Sequence, residues 1–97
     1  TMFRVEQTAE FSEWLDGLRD QRAQLKIAQR IMRLQSGNPG DWKSLGGGLS
    51  EMRIDHGPGY RVYYTIRERV ICLLLCGSDK QDQDRAIRQA RAQLKTI

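Results

Sequence analysis

The stretch Leu49-Ser50-Glu51-Met52-Arg53-Ile54-Asp55-His56-Gly57-Pro58-Gly59-Tyr60-Arg61-Val62-Tyr63-Tyr64 decides the fold. Apolar and polar residues alternate on both sides of a Gly-Pro-Gly link, the period of strands that bury one face. The link is too short for a crossover, so the strands are antiparallel. A third strand follows from Val70 to Gly77 after the short Arg67-Glu68-Arg69 link, which makes Leu49–Asp55, Tyr60–Ile66 and Val70–Gly77 a meander. The period of two assigns faces. Met52, Ile54, Val62, Tyr64 and Ile66 point one way, and Glu51, Arg53, Asp55, Arg61, Tyr63 and Thr65 the other. The register that fits the short Gly-Pro-Gly turn sets Ile54 opposite Val62, Asp55 opposite Arg61 and Arg53 opposite Tyr63.

Upstream, Phe3-Arg4-Val5-Glu6-Gln7 alternates as a strand and Thr8 is placed to cap a helix. Phe11, Trp14, Leu15 and Leu18 recur at helical spacing, as do Leu25, Ala28, Ile31, Met32 and Leu34 beyond the polar break Arg19-Asp20-Gln21. Arg19, Arg22, Lys26, Arg30 and Arg33 make the second helix basic, a charge stripe that reads first as a solvated face. Gly37-Asn38-Pro39-Gly40 stops the pair, and Gly46-Gly47-Gly48 marks a tight turn. Downstream, a helix is expected from about Asp79 to Lys95, with Ser78 and Gln81 at capping-box spacing and Ile87, Ala90 and Leu94 as its apolar stripe. The order is β-α-α-β-β-β-α, an α+β protein whose antiparallel sheet is packed by a two-helix hairpin, with a helix at the C-terminal end.

The chain of 97 residues has the length of one domain. Its 16 Lys and Arg against 12 Asp and Glu leave +4, which matters if the cations cluster and then favours nucleic acid or an acidic protein as partner. The two cysteines, Cys72 and Cys76, sit inside the run Val70-Ile71-Cys72-Leu73-Leu74-Leu75-Cys76. That position suits neither a disulfide framework nor a metal knuckle, so buried thiols on one strand face, a reducing compartment and no metal or cofactor are expected. No apolar run is long enough to span a bilayer and no signal segment is evident, so a cytoplasmic protein without membrane contact is expected.

The antiparallel return of the third strand brings Lys80 near Arg61, beside the turn that holds His56. Arg53, Arg61, Lys80, His56 and the start of the last helix therefore gather at one edge, an arrangement that suits a phosphate. The plainer readings are that Asp55 and Arg61 form a cross-strand ion pair, that Ser78 is only a cap, that Tyr60 and Tyr64 are core, and that His56 is a solvated loop residue. Composition and spacing alone lead to an anion-binding α+β domain.

The stretch from Leu49 to Tyr64 resembles the addiction-module killer proteins, the HigB-like branch of the RelE/ParE toxins. Phe11-Ser12-Glu13-Trp14-Leu15-Asp16-Gly17-Leu18-Arg19-Asp20, Gly37-Asn38-Pro39-Gly40-Asp41 and Leu74-Leu75-Cys76-Gly77-Ser78-Asp79-Lys80 resemble other signature stretches of that family in the same order. The resemblance implies that residues 1–97 are a single toxin domain of a type II toxin–antitoxin system. It also implies an antitoxin partner, often a helix-turn-helix DNA-binding protein. In the superfamily's ribosome-dependent endoribonucleases (mRNA interferases), messenger RNA is cut on the ribosome by cations that clamp a phosphate. Arg61, Lys80 and Arg53 match positions of that clamp, and Tyr63 shares their face. The departure lies in Gln81 to Arg88, which holds no aromatic where RelE-type enzymes place a stacking tyrosine.

The implied chemistry is attack of a ribose 2′-oxygen on the adjacent phosphate, which needs a proton acceptor, a charge clamp and a proton donor, but no metal. Arg61 and Arg53 suit the clamp, because a guanidinium stays charged and binds phosphate as a fork. Lys80 clamps or donates a proton. His56 has the naturally matched pKa, and Glu51 and Asp55 are the other candidate bases or orienting groups. The alternative is a ParE-like inhibitor that acts by binding DNA gyrase. A third reading is a toxin that has lost its activity and only binds its partner.

Overall fold

The computed structural model describes residues 2–97. The elements are β1 (Arg4–Gln7), α1 (Ala9–Asp16), α2 (Gln21–Gln35), β2 (Trp42–Gly46), β3 (Leu49–Ile54), β4 (Tyr60–Arg67), β5 (Ile71–Asp79) and α3 (Gln83–Leu94). The α+β expectation holds, with one strand more than expected. Trp42-Lys43-Ser44-Leu45 is too short and too closely flanked by glycines to show as a strand in the sequence, yet it pairs with β3 as an edge. The sheet order is β1-β5-β4-β3-β2. It is mixed, because β1 lies parallel to β5 while the other neighbours are antiparallel.

Two apolar layers flank the sheet. Phe11 of α1 and Ala23, Ile27 and Leu34 of α2 pack on Met52, Ile54, Val62, Tyr64, Cys72 and Leu74. On the opposite face Ala86 and Ala90 of α3 pack on Leu49, Tyr63, Leu75 and Cys76. Local chemistry starts α1 at the expected cap and α2 at one the sequence had not marked. Thr8 Oγ1 accepts from Phe11 N–H, and Asp20 Oδ1 accepts from Arg22 and Ala23 N–H. The inward stripe of α2 differs from the expected one, since Leu25 and Met32 are 59% and 66% exposed. Ala23 is small enough to carry little apolar weight in the sequence, yet it and Ile27 mark the buried face.

The β3–β4 register is two residues from the expected one: Arg53 stands opposite Arg61, Ile54 opposite Tyr60 and Glu51 opposite Tyr63. The cause is the link. Gly57 and Gly59 take left-handed φ of 56° and 85°, and His56 O accepts from Gly59 N–H at 3.0 Å, so the turn closes within Asp55–Gly59 and pairing begins at once. A slip of two preserves every face assignment while changing every partner.

A bulge in β5 has the opposite effect. Tyr63 pairs with Cys76 but Tyr64 pairs with Leu74, which leaves Leu75 as the extra residue. Its carbonyl leaves the ladder and is satisfied by Thr8 Oγ1 at 2.6 Å and Gln93 Nε2 at 2.8 Å. Cys72 and Cys76 are both buried, as expected, but on opposite faces. Strand β5 then continues to Asp79, and α3 starts later than expected. Ser78 is no cap, because its Oγ lies 3.2 Å from the Tyr63 hydroxyl inside the sheet, and Asp79 Oδ1 accepts from Gln81 and Asp82 N–H instead.

Candidate functional site

One groove of about 460 Å³ opens where β3, β4 and β5 end together. Its walls are Asp41, Arg53, Asp55, the turn Gly57-Pro58-Gly59, Tyr60, Arg61 and Lys80. The antiparallel ladder places Arg53 and Arg61 side by side on one face, and β5 delivers Lys80 just past Asp79, the partner of Tyr60. Two like charges facing each other across a ladder repel, so each needs a carboxylate or an anion. Arg53 Nη2 meets Asp41 Oδ1 at 2.8 Å, near solvent. Arg61 Nη1 meets Glu51 Oε1 at 3.0 Å, beneath the surface. Lys80 makes no ion pair among the described residues.

Glu51 is the most constrained charge of the site, with no solvent exposure. Its Oε1 also accepts from Gln83 Nε2 at 3.2 Å, and Lys43 Nζ stands 3.7 Å from its Oε2. Three elements therefore converge on one carboxylate: β4 through Arg61, β2 through Lys43 and the first turn of α3 through Gln83. Buried and multiply bonded, Glu51 orients Arg61, and no solvent-exposed oxygen remains for proton exchange. The face of β3 and β4 that carries Glu51, Arg53, Arg61 and Tyr63 is not open throughout, because α3 lies over the half that holds Glu51 and Tyr63. Tyr63 is fully buried under it, its hydroxyl on Ser78, and burial pushes its pKa up to about 12.

The groove does not gather all the expected residues. His56 turns away, its Nε2 2.9 Å from Asp20 Oδ2, so it ties the β3–β4 turn to the start of α2. That hydrogen bond, followed by the one from Ala23 N–H, holds the Asp20 carboxyl below the usual range. Asp55 lines the groove but is not the partner of Arg61, since the register moves it into the turn. Asp41, Lys43 and Gln83 are partners that the sequence reading missed. Arg30 is another: its guanidinium donates to the carbonyls of Arg53, Pro39 and Asp41, which braces the strand under the groove against α2. Nothing local in the sequence distinguishes Arg30 from its solvated neighbours.

Chemically, the groove presents one guanidinium held rigidly, one whose carboxylate partner is exchangeable, and an uncommitted ammonium. An exposed pair such as Arg53–Asp41 contributes only about 0–1 kcal/mol, so an incoming phosphate can replace Asp41 at small cost. Nη2 of Arg61 makes no hydrogen bond among the described residues. The only aromatic in the walls is Tyr60, buried against Trp14 with ring centroids 6.2 Å apart.

Residues 13–95 match the family described as "Phage derived protein Gp49-like (DUF891)". A protein of Haemophilus influenzae (strain ATCC 51907 / DSM 11121 / KW20 / Rd), called only "Uncharacterized protein", is 49% identical over 88 residues, covering 91% of this chain and 89% of the relative.

Proposed function

The chain belongs to the Gp49-like family, a RelE-like family of toxins from toxin–antitoxin systems, and we propose that it is the toxin of such a pair, acting as a metal-independent endoribonuclease on ribosome-bound messenger RNA. One observation carries the reading. Arg53, Arg61 and Lys80, from three successive strands or their ends, line a single groove, with Arg61 fixed from behind by the buried Glu51. A transition state that gathers charge on phosphate oxygens gains most from donors already in place. Arg61 and Lys80 hold the phosphate, and Arg53 joins them when Asp41 is displaced. Asp55, exposed in the groove and in no ion pair among the described residues, is the protein's candidate to accept the 2′-hydroxyl proton, whereas Asp41, the other exposed carboxylate of the walls, is paired with Arg53; the His56 ring lies on the Asp20 side of the turn. The antitoxin would keep this groove silent in the cytoplasm.

The second reading, a ParE-like protein that binds DNA gyrase, is favoured by the lack of an exposed aromatic ring in the groove walls on which a base could stack. Induction of the chain without its antitoxin separates the two. Messenger cleavage mapped by primer extension, without a DNA-damage response, supports the nuclease. Induction of the damage response with intact messages overturns it.

A further inference from the structure

The net charge of the protein resides on one helix. Between Gln21 and Gln35, α2 carries Arg22, Lys26, Arg30 and Arg33 and neither Asp nor Glu, so the rest of the chain, with the total at +4, is neutral. Arg30 is turned inward onto carbonyls. Arg22, Lys26 and Arg33 make no ion pair among the described residues. Leu25 and Met32 stand among these cations, 59% and 66% exposed. Seven residues apart, they lie on the same face of the helix, roughly 10 Å from each other along its axis. At that spacing the two make one short apolar strip among the cations rather than scattered single side chains.

Beside them a second groove, of about 590 Å³, runs between α2 and the end of β3. Met32 and Ile54 supply its apolar part, and Lys26 and Arg33 its charged rim. It shares Ile54 and Asp55 with the groove of Arg61 and Lys80, so the two adjoin at these residues.

We propose that the outer face of α2 is the docking surface for an acidic amphipathic helical segment of a protein partner. Its apolar residues cover Leu25, Met32 and Ile54, and its carboxylates meet Arg22, Lys26 and Arg33. The paired apolar anchors select a protein over a nucleic acid backbone, which would meet the cations but leave Leu25 and Met32 in water. On the toxin reading, on which only the partner's name rests, this partner is the antitoxin, and a segment that follows the groove to Asp55 closes the entrance to Arg61 and Lys80.

The test uses the whole chain and a labelled helical peptide about five turns long, with leucines at helical spacing and glutamates between them. Its controls are a scrambled peptide of the same composition and a single-stranded RNA oligonucleotide. The patterned peptide is expected to bind about tenfold or more tighter than the scrambled one, and the Leu25→Glu, Met32→Glu double variant, with unchanged thermal unfolding, to lose about tenfold or more. Equal binding of the two peptides, or undiminished binding by the double variant, overturns the proposal. So does RNA binding that depends on the α2 cations in the absence of peptide binding. In cells, the double variant is expected to arrest growth like the wild type but to escape rescue by the co-expressed antitoxin; equal rescue overturns the assignment. If the wild type arrests no growth, the toxin reading fails, and the peptide arm still decides the docking surface.

Discussion

Arg61 Nη1 stands 3.0 Å from Oε1 of Glu51, a carboxylate that solvent does not reach. A buried charge is tolerated only when paired and hydrogen-bonded, so neither residue is independent of the other. Glu51→Gln should therefore destabilise the fold by about 3 kcal/mol, with Arg61 left uncompensated. In urea unfolding, Glu51→Gln combined with Arg61→Met should lose clearly less than the two single changes added together. Simple additivity would mean that the pair carries no coupling.

Gly77 lies where a Cβ would come within 2.3 Å of the Trp14 ring. The ring fills the space above β5 and also meets Phe11, centroids 5.8 Å apart, so it has no easy retreat. Gly77→Ala should cost about 1–3 kcal/mol by overpacking, and Trp14→Leu should relieve most of that added cost in the double variant. Denaturant midpoints of the four proteins measure it.

Cys72 and Cys76 lie beneath different helix layers, and burial pushes both thiols up to about 12 from an ordinary value of 9.0. A thiol reagent at neutral pH should reach neither one except through unfolding, so both should react at the same slow rate. Because the folded values are raised, the stability associated with the thiols is fully present below the unfolded value and declines as pH climbs from about 9 towards 12. Peptide mapping after partial labelling, and urea midpoints across that range, check both statements.

Asp20 presents the opposite sign. Its hydrogen bond with His56, foremost, lowers its pKa from the ordinary 3.8. A depressed carboxylate contributes stability that is present above the unfolded value and lost as pH falls through the lower folded one. Stability of Asp20→Asn, which keeps an N-cap side chain, should fall less steeply below about pH 4 than that of the wild type. Parallel acid titrations followed by circular dichroism make the comparison.

Which parts of this architecture were legible in the sequence follows from what local periodicity can carry. The faces of β3 and β4 were readable because a two-residue slip leaves alternation intact, whereas the partners depended on how Asp55–Gly59 closes. The bulge at Leu75 adds one residue to a uniformly apolar run, where alternation has nothing to mark it, and so the two cysteines were assigned to one face. Arg53, Arg61 and Lys80 were readable as a cluster because strand ends and hairpin returns are short-range geometry. The burial of Glu51 and Tyr63 was not, because it depends on α3 packing back from more than 20 residues downstream. Leu25 and Met32 belong to an apolar stripe that periodicity finds, but periodicity cannot say whether the sheet or a partner covers it.

Lys80 follows from the same contacts as the cleanest probe of function. Arg61→Ala removes a clamp residue but also strands the buried Glu51 carboxylate, so loss of toxicity would be mixed with loss of fold. Arg61→Lys keeps the charge and gives up the fork, and should fold while retaining only part of the activity. Lys80 is exposed and makes no ion pair among the described residues, so Lys80→Ala should shift stability by no more than about 0.5 kcal/mol. On the nuclease reading it should nevertheless lower message cleavage by about a hundredfold, the usual effect of deleting one preorganised donor at a developing charge. Lys80→Arg should restore most of the rate, because the site asks for a cation at that place. A folded Lys80→Ala protein that cleaves messages and arrests growth like the wild type would remove the groove from the mechanism and turn attention to the gyrase reading.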